Sequence, residues 1–116
     1  MKLNEVSKYA RVFDDNCTGW CSDRKYNIMF LKCQENYFNE LLRNRGYVFL
    51  RDVYEGLGLN ISSESCVVGW RCKENNDIGD NYVHFMYDEN EEGPNIIIDF
   101  NVDGIIIDLS KIKAQS

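Results

Sequence analysis

Few residues in this 116-residue chain are equipped for bond chemistry: one histidine, His84, five cysteines, and nineteen carboxylates. A Cys–His nucleophile needs the imidazole beside the thiol, so that the thiolate is held at neutral pH. His84 stands in the middle of the alternating segment Tyr82–Tyr87, and no spacing ties it to a cysteine; a structural strand histidine is the simpler reading. Structural zinc sites present their cysteines in pairs two to four residues apart. Three residues separate Cys17 from Cys21, but five separate Cys66 from Cys72, so only one pair fits. The odd cysteine Cys33 and the absence of a signal region point to free thiols in a reducing, cytoplasmic setting.

Carboxylates are the other candidates. Asp99, Asp103 and Asp108 could hold magnesium for phosphoryl transfer, yet their surroundings lack the cations a polyanionic substrate needs. The run Asp88-Glu89-Asn90-Glu91-Glu92-Gly93 imitates the start of a calcium loop, with oxygen donors at positions one, three and five and glycine at six. The twelfth position would be Asp99 instead of glutamate, and the flanks read as strands where that motif needs helices. There is no Gly-x-Ser-x-Gly elbow, no His-Glu-x-x-His and no phosphate-cradling glycine loop. No cofactor or metal ligand is therefore expected. The residues favour a non-enzymatic protein, and the alternative is a small enzyme or metal-binding protein using Cys/His or clustered carboxylates.

Charge says more. The formal net charge is −6, and it is unevenly spread: residues 1–58 carry nine Lys/Arg against eight Asp/Glu, residues 59–116 four against eleven. Such a half repels a phosphate backbone, so direct nucleic-acid binding is not expected of it. It attracts a basic partner instead. The residues expected to carry that contact are Asp77, Asp80, Asp88, Glu89, Glu91 and Glu92. A merely solubilising acidic surface is the plain alternative. One countersignal lies in the first half: Arg43, Arg45 and Arg51 bracket Tyr47 and Phe49, a thin version of the basic–aromatic pattern that binds single strands.

The elements that must position these groups can be read in order. Tyr9–Phe13 reads as a strand, Asp14–Gly19 as a turn, and Trp20-Cys21 as the return strand of a hairpin. Ser22 or Asp23 can cap a long helix over about 23–45. Its apolar stripe would be Tyr26, Met29, Phe30, Cys33, Tyr37, Phe38, Leu41 and Leu42, facing the core. Gly46 stops it. Tyr47-Val48-Phe49 is extended, and Leu50, Val53, Tyr54 and Leu57 repeat at helical spacing before Gly58. Strands follow at Cys66–Cys72, Tyr82–Tyr87, Ile96–Phe100 and Ile105–Asp108, with loops at 73–81 and 88–95.

The expected architecture is α+β, with one long and one short helix packed on an antiparallel sheet of four to five strands. A composition of 44% apolar and 28% charged residues fits one folded domain over 1–116 and excludes wholesale disorder; 1–8 and 111–116 read as tails. No apolar run reaches the roughly 18 residues of a membrane span.

Gly46-Tyr47-Val48, Leu50, Val53-Tyr54, Leu57-Gly58-Leu59 and Val67-Val68-Gly69-Trp70 together resemble the C-terminal soluble domain of small phage and prophage proteins of unknown function from Gram-positive, clostridial-type bacteria. The resemblance spans about residues 9–108. It implies a hairpin before the long helix and a late strand like Ile98-Asp99-Phe100, and it supplies no active-site residues. Two features differ: the apolar N-terminal region of many relatives is not seen, and Phe49 stands where a capping serine is common. The functional expectation is a phage- or mobile-element-encoded interaction protein in the host cytoplasm. Its acidic surface would meet a basic partner, such as a nucleic-acid-binding host defence enzyme that it inhibits in an anti-CRISPR-like manner. Self-association in a structural or lysis module is a further alternative, which leaves a homo-oligomer open.

Overall fold

A computed structural model describes residues 6–71 and 82–106. The long helix, α1, spans Arg24–Arg45. Asp23 starts it, accepting the Lys25 N–H at 2.9 Å, which satisfies one of the donors that a helix N-terminus leaves open. Gly46 ends it at φ 88°, donating its N–H back to the Leu42 carbonyl at 2.7 Å. A left-handed residue is favourable there only without a Cβ. Strand β1 is Arg11–Phe13 and β2 is Tyr47–Phe49; helix α2, Leu50–Leu57, follows β2 directly. Phe49 has no side-chain oxygen to cap α2. Asp52 supplies the reverse contact, its Oδ2 accepting the Phe49 N–H at 3.1 Å. A short 3-10 turn at Glu64–Cys66 leads into β3, Val68–Arg71. Strands β4, β5 and β6 are Phe85–Met86, Ile96–Phe100 and Gly104–Ile105.

The fold is α+β; among the described residues every strand pairing is antiparallel, but six short strands form two three-stranded sheets where one sheet of four to five was expected. One has the order β1-β5-β4, the other β2-β3-β6. The expected hairpin is absent. Strand β1 pairs instead with β5, Val12 opposite Ile97. The backbone that should have formed the return strand is already committed, because the Asn27 side chain bonds both the N–H and the carbonyl of Cys21 at 2.8 Å. A similar capture shortens the expected strand at 82–87 to Phe85–Met86. Asn39 of α1 bonds both backbone groups of Val83, and Glu35 accepts the Phe85 N–H at 2.8 Å. Side-chain amides, with the Glu35 carboxylate, thus take the places of ladder partners.

The core joins Leu31, Phe38 and Leu42 of α1 to Val53, Tyr54 and Leu57 of α2 and to Phe13, Val48, Trp70, Ile98 and Phe100 from the strands. Phe100 meets Tyr54 and Phe85 edge-on, with ring centres 5.6 and 5.5 Å apart. The buried face of α1 is only partly the expected one: Phe38 and Leu42 are buried, and Phe30 and Leu41 pack against the core. Its deepest residues are Asn27, Leu31, Phe38 and Leu42, whereas Tyr26, Met29, Cys33 and Tyr37 are exposed. Apolar residues occupy most of the helix circumference, so periodicity alone allowed two faces. The face that is buried carries Leu31, Phe38 and Leu42, and it can include Asn27 because that amide is hydrogen-bonded by Cys21 and by the Pro94 carbonyl at 2.8 Å. Among the described residues, no helix is long and apolar enough to cross a membrane.

Candidate functional site

Asp88, Glu89, Glu91 and Glu92 lie together on the turn joining β4 to β5, and the geometry of that turn is set from α1. Arg24 donates from Nη1 to the carbonyls of Gly93 at 3.0 Å and Asn95 at 3.2 Å, and from Nη2 to that of Asp88 at 2.5 Å. Asn27 takes the Pro94 carbonyl. With its carbonyls drawn inward to the helix, the turn exposes residues 89–93. The Asp88 carboxyl is held below the usual carboxylate range, chiefly because Oδ1 accepts the Asn90 N–H at 2.9 Å. Glu89 faces Lys32 at 3.6 Å across open solvent, a contact worth little by itself. Asp77 and Asp80, expected to join this surface, lie outside the described residues.

Beside the turn runs a recess of about 350 Å³ between α1 and β4, lined by Lys32, Glu35, His84, Met86, Tyr87 and Glu89. His84 Nδ1 stands 3.3 Å from Glu35 Oε2, half exposed, so its charged neighbour is a carboxylate. Burial pushes the Tyr87 phenol up, and the Glu89 charge adds to the shift.

The other chemical candidates have structural duties. Asp99 is buried, and its oxygens receive the Ser7 N–H at 2.7 Å, the Ser7 hydroxyl at 2.5 Å and the Phe100 N–H at 2.8 Å. This anchors residue 7, within the stretch expected to be a tail, to β5. Asp103 accepts the Arg71 N–H at 2.9 Å, and Asp108 is outside the described residues. The calcium-like run is flanked by strands β4 and β5. Among the described residues, no three His, Cys, Asp or Glu side chains converge as a metal site would need. Burial pushes the Cys17 thiol up, away from the reactive thiolate.

At the opposite end of α1, the basic and aromatic residues do meet. The Arg45 guanidinium lies 4.3 Å from the centre of the Tyr47 ring, and that of Arg51 lies 5.7 Å from the Phe49 ring. The two rings contact edge-on at 5.6 Å. Arg71, which the sequence did not connect with them, pairs with Tyr47 across β2 and β3. Arg43 does not face these rings; it lines a separate recess with Tyr37 and Tyr82.

The chain matches a protein-family model, described as a family of unknown function (DUF6353), over residues 1–110. No curated protein and no solved structure matches it.

Proposed function

We propose a function for a chain that belongs to DUF6353, a family of unknown function: it is a non-enzymatic interaction protein that presents the acidic turn 88–92 to a basic partner. The observation that carries this reading is the clamp. Arg24 and Asn27 bind four carbonyls of one turn, so a loop with four carboxylates in five residues is held by a helix instead of moving freely. A charged surface that is already ordered loses less entropy when it docks. Complementary charge then raises the encounter rate and selects the partner.

The narrower form of the proposal is that the partner is the cationic nucleic-acid channel of a host defence enzyme, with the protein encoded by a phage or mobile element and acting in the host cytoplasm. The acidic turn suits that role because it offers closely spaced carboxylates where phosphates would otherwise sit.

The test is association with a purified, basic nucleic-acid-binding nuclease and with a deca-arginine peptide, measured by biolayer interferometry at about 50 and 300 mM salt. In the triple variant Glu89→Lys, Glu91→Lys, Glu92→Lys the association rate falls at least tenfold at low salt, while the melting temperature stays unchanged. Equal rates for wild type and variant would refute the acidic-turn reading.

A further inference from the structure

The basic–aromatic cluster lies at the far end of α1 from the acidic turn. Arg24, at the first residue of the helix, grips the turn, and Arg45, at the last, lies on Tyr47. Twenty-one steps of helical rise put the two ends about 30 Å apart. That is more than three screening lengths at physiological salt, where the Debye length is about 8 Å. The negative potential of the turn is therefore largely absent at this end.

Locally, the cluster is assembled by the second sheet. Tyr47 and Phe49 alternate with the buried Val48, so their rings stand on the outer face of β2. Opposite Phe49 on β3 is Gly69. A Cβ there would come within 2.0 Å of the Val48 carbonyl oxygen and 2.8 Å of the Phe49 Cα, so only glycine lets β2 lie this close. Arg71, next along the same face of β3, stands opposite Tyr47. Arg45 is fixed by its Nε donating to the Tyr47 carbonyl at 3.0 Å and by Asp52 at 2.9 Å. Arg71 donates to the Ile106 carbonyl. Arg45, Tyr47, Phe49 and Arg71 border a recess of about 390 Å³, within the size range of small-molecule sites.

We propose that Tyr47, Phe49, Arg45, Arg51 and Arg71 form a platform for single-stranded nucleic acid, stacking one or two bases and contacting the adjoining phosphates. An acidic peptide would use the guanidinium charges and leave the exposed Tyr47 ring without a role. A base joined to a phosphate uses both, and stacking tolerates any base because each has a π face. The platform is distinct from the acidic turn, and either proposal can fail without the other.

The experiment is fluorescence anisotropy of the full chain with a labelled ten-nucleotide oligo-uridine at about 50 mM salt. Saturable binding is expected, with affinity lowered roughly 5- to 100-fold by Tyr47→Ala. Arg51→Ala, on an exposed side chain, should leave the fold intact and reduce the slope of log affinity against log salt by about one phosphate's worth. Tyr47→Phe should retain binding, because it keeps the ring. The proposal is overturned by no binding at low salt, by affinity unchanged in both Tyr47→Ala and Arg51→Ala, or by equal competition from duplex or heparin, which carry charge without accessible bases. Preferential capture by anionic vesicles over the single strand also overturns it.

Discussion

Tyr54 has no solvent exposure, and its hydroxyl donates to the Tyr9 carbonyl at 2.6 Å, tying α2 to the segment before β1. Burial pushes its phenol up to about 12. The unfolded chain titrates near 10, so below about pH 10 both states keep the proton and the contribution to stability is constant. As pH rises from about 10 toward 12 the unfolded state loses the proton first, binds fewer protons than the native state, and stability falls. The window represents roughly 2–3 kcal/mol. Tyr54→Phe should cost about 1 kcal/mol at neutral pH, through the unpaired Tyr9 carbonyl, and should flatten the alkaline limb. Urea unfolding at several values between pH 8 and 11.5 reads both effects. An alkaline slope identical in wild type and variant would place the titration on another group.

Between α1 and the first sheet, apolar packing such as Phe30 on Phe13 is joined by polar side chains of the helix that bond the backbone of the sheet and its turns. Arg24 is the clearest case. A cation in the first turn opposes the helix dipole by several tenths of a kcal/mol, and what it gains is the carbonyls of the 88–95 turn. Replacing it with methionine keeps the aliphatic stem and removes the donors. Amide exchange across residues 89–95 should then accelerate at least tenfold, and global stability should fall by about 1–3 kcal/mol. Unchanged protection in that turn would mean that the strands alone hold it. The same residues explain what could be read in advance. The Asp23 cap, the Gly46 stop, α2, and the β-branched run Ile96–Ile98 were legible because each depends on neighbours in sequence. The return strand at Trp20-Cys21 and the full strand at 82–87 were not, because Asn27 and Asn39 remove their pairing groups from 6 and 44 residues away. An asparagine inside an apolar stripe carries no mark of which backbone it will bond. The acidic run was visible as composition, but the arginine that orders it was not. Arg45, Tyr47, Phe49 and Arg51 were visible as neighbours; Arg71 joined them only through the β2–β3 register.

At the scale of the molecule, α1 works as a spacer between a negative end and a positive, aromatic end, and the separation can be tested through screening. Each glutamate-to-lysine reversal adds two charges, so Glu89→Lys, Glu91→Lys, Glu92→Lys together bring the formal net charge from −6 to zero. If the two ends were adjacent, this change would strengthen oligonucleotide binding at any salt concentration. Across about 30 Å the outcome depends on ionic strength. At 0.15 M, where the Debye length is about 8 Å, the reversal should leave oligo-uridine affinity within about twofold of wild type. At 0.01 M the Debye length grows to about 30 Å, the turn's field reaches the platform, and the triple variant should bind several-fold more tightly than wild type. Tyr47→Ala should weaken binding by the same factor in either background, because sites this far apart with no shared partner act additively. Anisotropy titrations of the four proteins at the two salt concentrations decide it. An equal gain at both concentrations would mean that the acidic turn contacts the strand directly, and that the two ends form one surface.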